Sequence, residues 1–152
     1  MTAQETRATL GSFFVPGKPR SKGRPFVTKA GATFTPAATK AAEESVLVSS
    51  MGSRPEAPWQ GPVFVQILFQ FTPPKSPKWR AKQAVRLSAR HANKPDVDNL
   101  VKLVLDALNR SGYWVDDAQV CEIATRKVYA EPEGTWVYVA GLPDQFNVRQ
   151  EP

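Results

Sequence analysis

Apolar and polar residues alternate most regularly over Pro62–Phe71. Val63, Val65, Ile67, Phe69 and Phe71 form one face there, and Phe64, Gln66, Leu68 and Gln70 the other. One face is wholly apolar and the other half so, which predicts a central strand covered by helices. The period changes at Asp98–Asn109. Leu100, Leu103, Val104, Ala107 and Leu108 recur at helical spacing as a single buried stripe, with Asp98 as N-cap and Ser111-Gly112 as the stop. A second helix starts at Thr35-Pro36, with Thr35 as N-cap, and ends at Gly52. Its inward face is Ala38, Ala41, Ala42, Ser45, Val46, Val48 and Ser49.

The remaining segments are shorter. Gly11–Val15 reads as a strand closed by Pro16-Gly17, and Phe26-Val27 and Thr33–Thr35 pair as a small hairpin around Lys29-Ala30-Gly31. Pro73-Pro74-Lys75-Ser76-Pro77 breaks the pattern ahead of a basic helix over Lys78–Ala89 and a loop over Arg90–Lys94. Ala118–Ala130 and Thr135–Ala140, divided by Glu131-Pro132-Glu133-Gly134, read as an antiparallel hairpin. The order predicts an α+β single domain, a mixed β-sheet with packed helices. Residues 1–10 are its frayed arm, 11–141 the domain and 142–152 a loose tail.

Composition narrows the class. A chain of 152 residues with 41% hydrophobic and 22% charged residues can bury a core without staples. One cysteine, Cys121, forms no disulfide framework and reads as a small buried hydrophobe. No apolar run reaches membrane-span length, and the first residues lack a signal-peptide pattern, so the expectation is an intracellular, cytoplasmic protein.

The charges are sorted along the chain. Lys+Arg 20 against Asp+Glu 14 gives a net +6. No acid lies between Glu5 and Glu43, where Lys18, Arg20, Lys22, Arg24, Lys29 and Lys40 accumulate. None lies between Glu56 and Asp96, where Lys75, Lys78, Arg80, Lys82, Arg86, Arg90 and Lys94 accumulate. Asp96, Asp98, Asp116 and Asp117 then follow closely. Basic stretches attract a polyanion, and concentrated carboxylates hold a divalent cation against it. Either stretch alone reads more simply as a solvated surface; with the aspartates, the nucleic-acid reading gains.

A helix of about a dozen residues spans roughly 18 Å. Asp116-Asp117 therefore meets Asp96 and Asp98 only if the chain runs back beside the helix. If it does, three or four carboxylates converge. Such groups repel unless a cation sits among them, and oxygen ligands without His or Cys suit Mg²⁺. Lys102, one turn after Asp98 and away from the apolar stripe, is placed to contact a phosphate. The same residues also read as a cap, a surface ion pair and turn formers, and on spacing alone that plainer reading is favoured. Trp79, between Lys78 and Arg80, either stacks on an unpaired base or anchors its helix, the second being favoured. His91, the sole histidine, reads as a DNA-facing or incidental loop residue.

The stretch Lys94-Pro95-Asp96-Val97-Asp98-Asn99-Leu100-Val101-Lys102, its Asp106-Ala107-Leu108 end, and Trp114-Val115-Asp116-Asp117-Ala118-Gln119-Val120 resemble the RusA family of Holliday-junction resolvases, common in phages and prophages. Val15–Pro25 is similar to the basic N-terminal segment of the family's phage branch. The resemblance runs from about Phe13 to Val139 and is diagnostic over Lys94–Val120. It implies a Mg²⁺-dependent homodimer, Mn²⁺ being a substitute, that nicks two symmetric strands of a four-way DNA junction in recombination and repair, in a bacterial or phage-infected cell. Asp96, Asp98 and Asp117 match the family's metal-binding aspartates, Asp116 the neighbouring acid and Lys102 the functional lysine, while Asn99 and Gln119 take supporting roles. Lys18, Arg20, Lys22, Arg24, Lys75, Lys78, Arg80, Lys82, Arg86, Arg90 and Lys94 are the expected DNA contacts. The basic segment 75–94 is less typical of the family. The alternatives are a branched-DNA nuclease of looser taste, acting on forks or flaps, and a DNA-binding protein without catalysis.

Overall fold

The computed structural model describes residues 6–83 and 89–144. The elements are β1 (Ala8–Pro16), β2 (Phe26–Val27), β3 (Thr33–Phe34), α1 (Ala37–Ser50), β4 (Val63–Phe71), α2 (Pro77–Gln83), β5 (Ala89–Arg90), α3 (Val97–Leu108), β6 (Val120–Tyr129) and β7 (Gly134–Gly141). Five strands form a mixed sheet in the order β1-β7-β4-β6-β5, and β2 and β3 form a separate two-stranded ribbon. The expected α+β domain with a mixed sheet is therefore present. No helix among the described residues is long and apolar enough to cross a membrane.

β4 is central, as its alternation predicts. Val63, Val65, Ile67, Phe69 and Phe71 bury against α1 and α3, together with Phe13, Val15, Val137 and Val139 from the flanking strands. The α3 stripe of Leu100, Leu103, Val104, Ala107 and Leu108 closes the core. Among the described residues, no helix packs on the opposite sheet face. Phe14, Leu68 and Tyr138 are half-buried there and Trp136 is 47% exposed.

Several sequence expectations need correction. Ala118–Ala130 and Thr135–Ala140 do not form a hairpin: β4 lies between them, parallel to β6 and antiparallel to β7. Two runs joined by a short turn normally pair, but the connector here crosses the end of β4. Gln70 Nε2 donates to the Pro132 carbonyl at 2.6 Å, and the Thr72 hydroxyl to Glu133 Oε2 at 2.8 Å. The arm is shorter than expected, because β1 begins at Ala8 and pairs through to Gly141; residues 1–5 lie outside the described set. Leu142 is buried and its amide donates to the Pro62 carbonyl, so the tail does not start there. Residues 145–152 lie outside the described set.

α1 is capped by Pro36 rather than Thr35, and it buries Thr39, Val46 and Ser50 while Val48 is 59% exposed. Its alanine-rich sequence offers no strong stripe, and the face was misread by about one position. The basic helix after Pro77 is described only to Gln83, and Ala89–Arg90 is a strand paired with β6. The N-cap of α3 is Asp96; Asp98 stands in its first turn.

Candidate functional site

The chain reaches α3 through a loop that β6 holds in place. The Lys127 ammonium donates to the carbonyl oxygens of Asn93 and Pro95, each at 2.7 Å. Asn93 Nδ2 donates to the Tyr129 hydroxyl at 3.0 Å. His91 lies flat on Phe71, with ring centroids 4.0 Å apart, and against Tyr129 at 4.8 Å, while its amide donates to the Lys127 carbonyl. His91 is thus a buried anchor, 8% exposed, and not a DNA-facing loop residue. Its Nδ1 has no hydrogen-bond partner among the described residues. Burial first, then the nearby Lys127 charge, push its pKa below the usual imidazole value.

Asp96, at the end of this loop, accepts from the Lys94 ammonium at 2.8 and 3.0 Å. That hydrogen bond and the charge behind it hold the Asp96 carboxyl below the usual range, with Lys127 adding to the effect. Asp98 follows in the first turn of α3, where the helix dipole favours a negative charge. Asp98, Lys102 and Asp106 then succeed one another at one-turn spacing on the side that the apolar stripe leaves open.

The acidic turn is built differently. Asp116 caps a 3-10 turn over Asp117–Gln119, accepting from the Ala118 amide at 2.9 Å. That bond and a side-chain hydrogen bond with Asp117 lower its pKa. Gln119 ties the turn down at both ends of its side chain. Its Oε1 accepts from the Val115 and Asp116 amides, and its Nε2 donates to the Trp59 and Gly61 carbonyls, all at 2.8–2.9 Å. All these contacts go to backbone, so Gln119 supports the turn and leaves the Asp117 carboxylate exposed.

Two adjoining concavities collect these groups. One runs along α3 and is lined by Asp98, Lys102, Asp106 and Asp117 together with Val101, Leu105, Val120 and Ile123. The other is lined by His91, Lys94, Asp96, Asp98 and Lys127. Asp98 belongs to both. The strand does run back beside the helix, but the residue it brings to Asp96 is Lys127. No three His, Cys, Asp or Glu among the described residues form a metal-holding group, so the expected convergence on one spot is not seen. The donor chemistry nevertheless fits Mg²⁺, which is commonly held by one or two carboxylates with water and substrate phosphate completing its shell. Lys127 escapes the sequence reading because it is one of two adjacent cations, with Arg126, in an otherwise ordinary strand. Only the register of β6 against the 91–95 loop reveals it.

The expected DNA contacts divide. Lys18, Arg20, Arg24, Lys75, Lys78, Arg80, Arg90 and Lys94 are exposed. Lys22 is half-buried in an ion pair with Asp106, Lys94 is engaged with Asp96, and Arg80 Nε donates to the Pro74 carbonyl. Arg86 lies outside the described residues, as does the side chain of Lys82. Trp79 is half-buried with its ring edge-on to Tyr129 at 4.9 Å, the anchoring arrangement. Cys121 is exposed and not buried; its strand neighbour Val120 is the one that packs against the core.

Residues 16–140 match the family model described as endodeoxyribonuclease RusA. The chain is also similar to YqaN of Bacillus subtilis (strain 168), an uncharacterized protein. The two are 35% identical over 125 residues, which cover 78% of this chain and 87% of that protein.

Proposed function

The chain belongs to the endodeoxyribonuclease RusA family, and from that premise we propose that it resolves four-way DNA junctions by paired, symmetric, Mg²⁺-dependent nicks. The observation that carries the reading is the place of Asp98 in the lining of two adjoining concavities, one shared with Asp96 and the other with Asp117 and Lys102. Asp98, with Asp96 on one side and Asp117 and its neighbour Asp116 on the other, would supply the carboxylates for the cation, and Mn²⁺ would serve in its place. When bound, such an ion polarises the scissile phosphate and supplies a nucleophile from water at neutral pH.

The chain's own residues do the rest. Lys102 projects beside Asp98 and offsets the negative charge that grows on the phosphate. Lys94 and Lys127 keep Asp96 ionised and its loop fixed. Exposed Lys18, Arg20, Arg24, Lys75, Lys78 and Arg90 draw in the backbone of branched DNA. Two nicks related by two-fold symmetry require two equal sites at fixed separation, which a homodimer supplies. The sheet face opposite α1 and α3, with Phe14, Leu68 and Trp136, offers an apolar surface for it. The protein would act in the cytoplasm of a bacterial or phage-infected cell.

A nicking assay on a synthetic mobile four-way junction tests this, with and without Mg²⁺, for wild type and Asp98→Asn. The reading requires nicking by wild type in Mg²⁺ alone, and junction binding without nicking by the variant. Equal nicking by both proteins, or none by wild type, overturns it.

A further inference from the structure

The β2–β3 ribbon packs into neither the sheet nor the core, yet it presents aromatic surface. Phe26 is 54% exposed, Val27 67% and Phe34 45%. The two phenylalanines face each other across the ribbon, their rings 5.8 Å apart and inclined by only 23°. Single exposed apolar residues are ordinary, but a paired, nearly parallel aromatic platform on a two-stranded ribbon is not. The turn beneath it is well formed. The Thr28 amide donates to the Ala32 carbonyl, the Ala32 amide to the Thr28 hydroxyl, and Gly31 takes the positive φ of 84° that the reversal requires.

The root of the ribbon is fixed against the candidate site. The Lys22 amide donates to the Asn99 carbonyl at 3.2 Å, its ammonium pairs with Asp106, and the Gly23 amide donates to Thr39 Oγ1 at 2.9 Å. Phe26 lies four residues beyond Lys22, so its Cα stands within about 19 Å of the carbonyl oxygen of Asn99, the residue after Asp98. The flanking charge has one sign. Arg20, Arg24 and Lys29 are exposed, and no acid lies between Glu5 and Glu43.

An exposed, stacked aromatic pair in a cation-rich segment fits a polyanion that also offers flat apolar faces. Unstacked nucleobases have both properties. Paired bases within intact duplex are already stacked on each other and closed to a side chain. We infer that Phe26 and Phe34 form a stacking platform for unpaired bases at the branch point, and that this platform is a source of selectivity for branched over linear DNA. The inference rests on the nuclease reading above and names which part of the DNA the ribbon takes.

The test uses the full chain without divalent metal, so that binding is read apart from cleavage. Junctions carrying 2-aminopurine at the branch point are titrated with wild type, Phe26→Ala/Phe34→Ala and Phe26→Trp, alongside linear duplex of equal length. Wild type should change the 2-aminopurine emission and prefer the junction. The double alanine variant should lose that change and about tenfold of the junction affinity, with duplex affinity unaltered. Phe26→Trp should retain both, which separates stacking from ribbon integrity. Junction preference and emission change preserved in the double alanine variant overturn the inference. So does an equal loss on junction and duplex, or a loss accompanied by dissociation into monomers, which would make the pair a contact between copies. Wild-type nicking of the junction in Mg²⁺ distinguishes a failed platform from a failed nuclease assignment.

Discussion

The ammonium of Lys127, on β6, donates to the carbonyl oxygen of Pro95, the residue immediately before Asp96, at 2.7 Å. Its second bond, to the Asn93 carbonyl, makes it a two-point clamp on the loop that delivers Asp96, the N-cap of α3. Removing it leaves two carbonyls without their charged donor. Lys127→Met should lower stability by about 1–3 kcal/mol and raise the Mg²⁺ concentration for half-maximal nicking by about 10–100-fold. Lys127→Arg, which keeps a charged donor, should recover part of both. Thermal melting and metal titration of nicking check this; a Met variant with unaltered metal demand would reduce Lys127 to a structural residue.

Asp116 and Asp117 are adjacent but differently occupied. Asp116 Oδ1 is committed to the Ala118 amide, whereas Asp117 opens onto the groove with Asp98. Asp117→Asn should abolish nicking with little change in stability. Asp116→Ala should cost about 1 kcal/mol through the lost cap. Asp116→Asn, since Asn caps as well as Asp, should keep the stability and lose less nicking than Asp117→Asn. Parallel denaturation and nicking measurements on the three variants decide it. The opposite ranking would make Asp116 the principal ligand.

How much of this was legible beforehand depends on range. The β4 alternation and the α3 stripe are local signals read by burial on one face, and both held. The ribbon at Phe26 and Phe34 was equally visible, because Gly31 and the flanking β-formers are local too. The pairing of β6 with β4 was not, since a short connector favours a hairpin, whereas β4 inserts between β6 and β7 and pairs along its length with both. The acidic residues were legible as a motif. Their arrangement along a strip was not, because it depends on the β6 register that brings Lys127, rather than Asp117, to the Asp96 loop. The DNA-facing reading of His91 fails for the same reason: Arg90 and Ala92 beside it in sequence give no sign of burial, but its neighbours in space are Phe71 and Tyr129.

His91 gives the fold a pH dependence of definite sign. Its pKa in the folded chain lies below the ordinary 6.5, driven by burial and by Lys127, with Lys18 adding to the effect. Between those two values the unfolded chain holds more protons than the folded one, so stability falls as pH falls. The contribution is complete above pH 6.5 and declines below it until the folded pKa is passed. The charged groups in question are Lys127 and Lys18, and Tyr129 supplies the facing ring. His91→Phe keeps a ring against Phe71 and removes the titration. Denaturant unfolding between about pH 5 and 7.5 should show a slope in wild type that is reduced in the variant; equal slopes would place the titration elsewhere.

The cations separate into those available to DNA and those used internally, and salt dependence reads the division. Each phosphate contact contributes close to one unit to the slope of log affinity against log salt. Arg24 is exposed, so Arg24→Ala should lower that slope by about 1 for junction and duplex alike. Lys22 is half-buried against Asp106, so Lys22→Ala should leave the slope unchanged while costing about 1 kcal/mol of stability. Because Lys22 also fixes the root of the ribbon, the same variant should weaken the preference for junction over duplex. Binding isotherms at several salt concentrations, with melting curves for each variant, supply all three readouts. A full unit of slope lost in Lys22→Ala would mean that the ion pair with Asp106 opens when DNA binds.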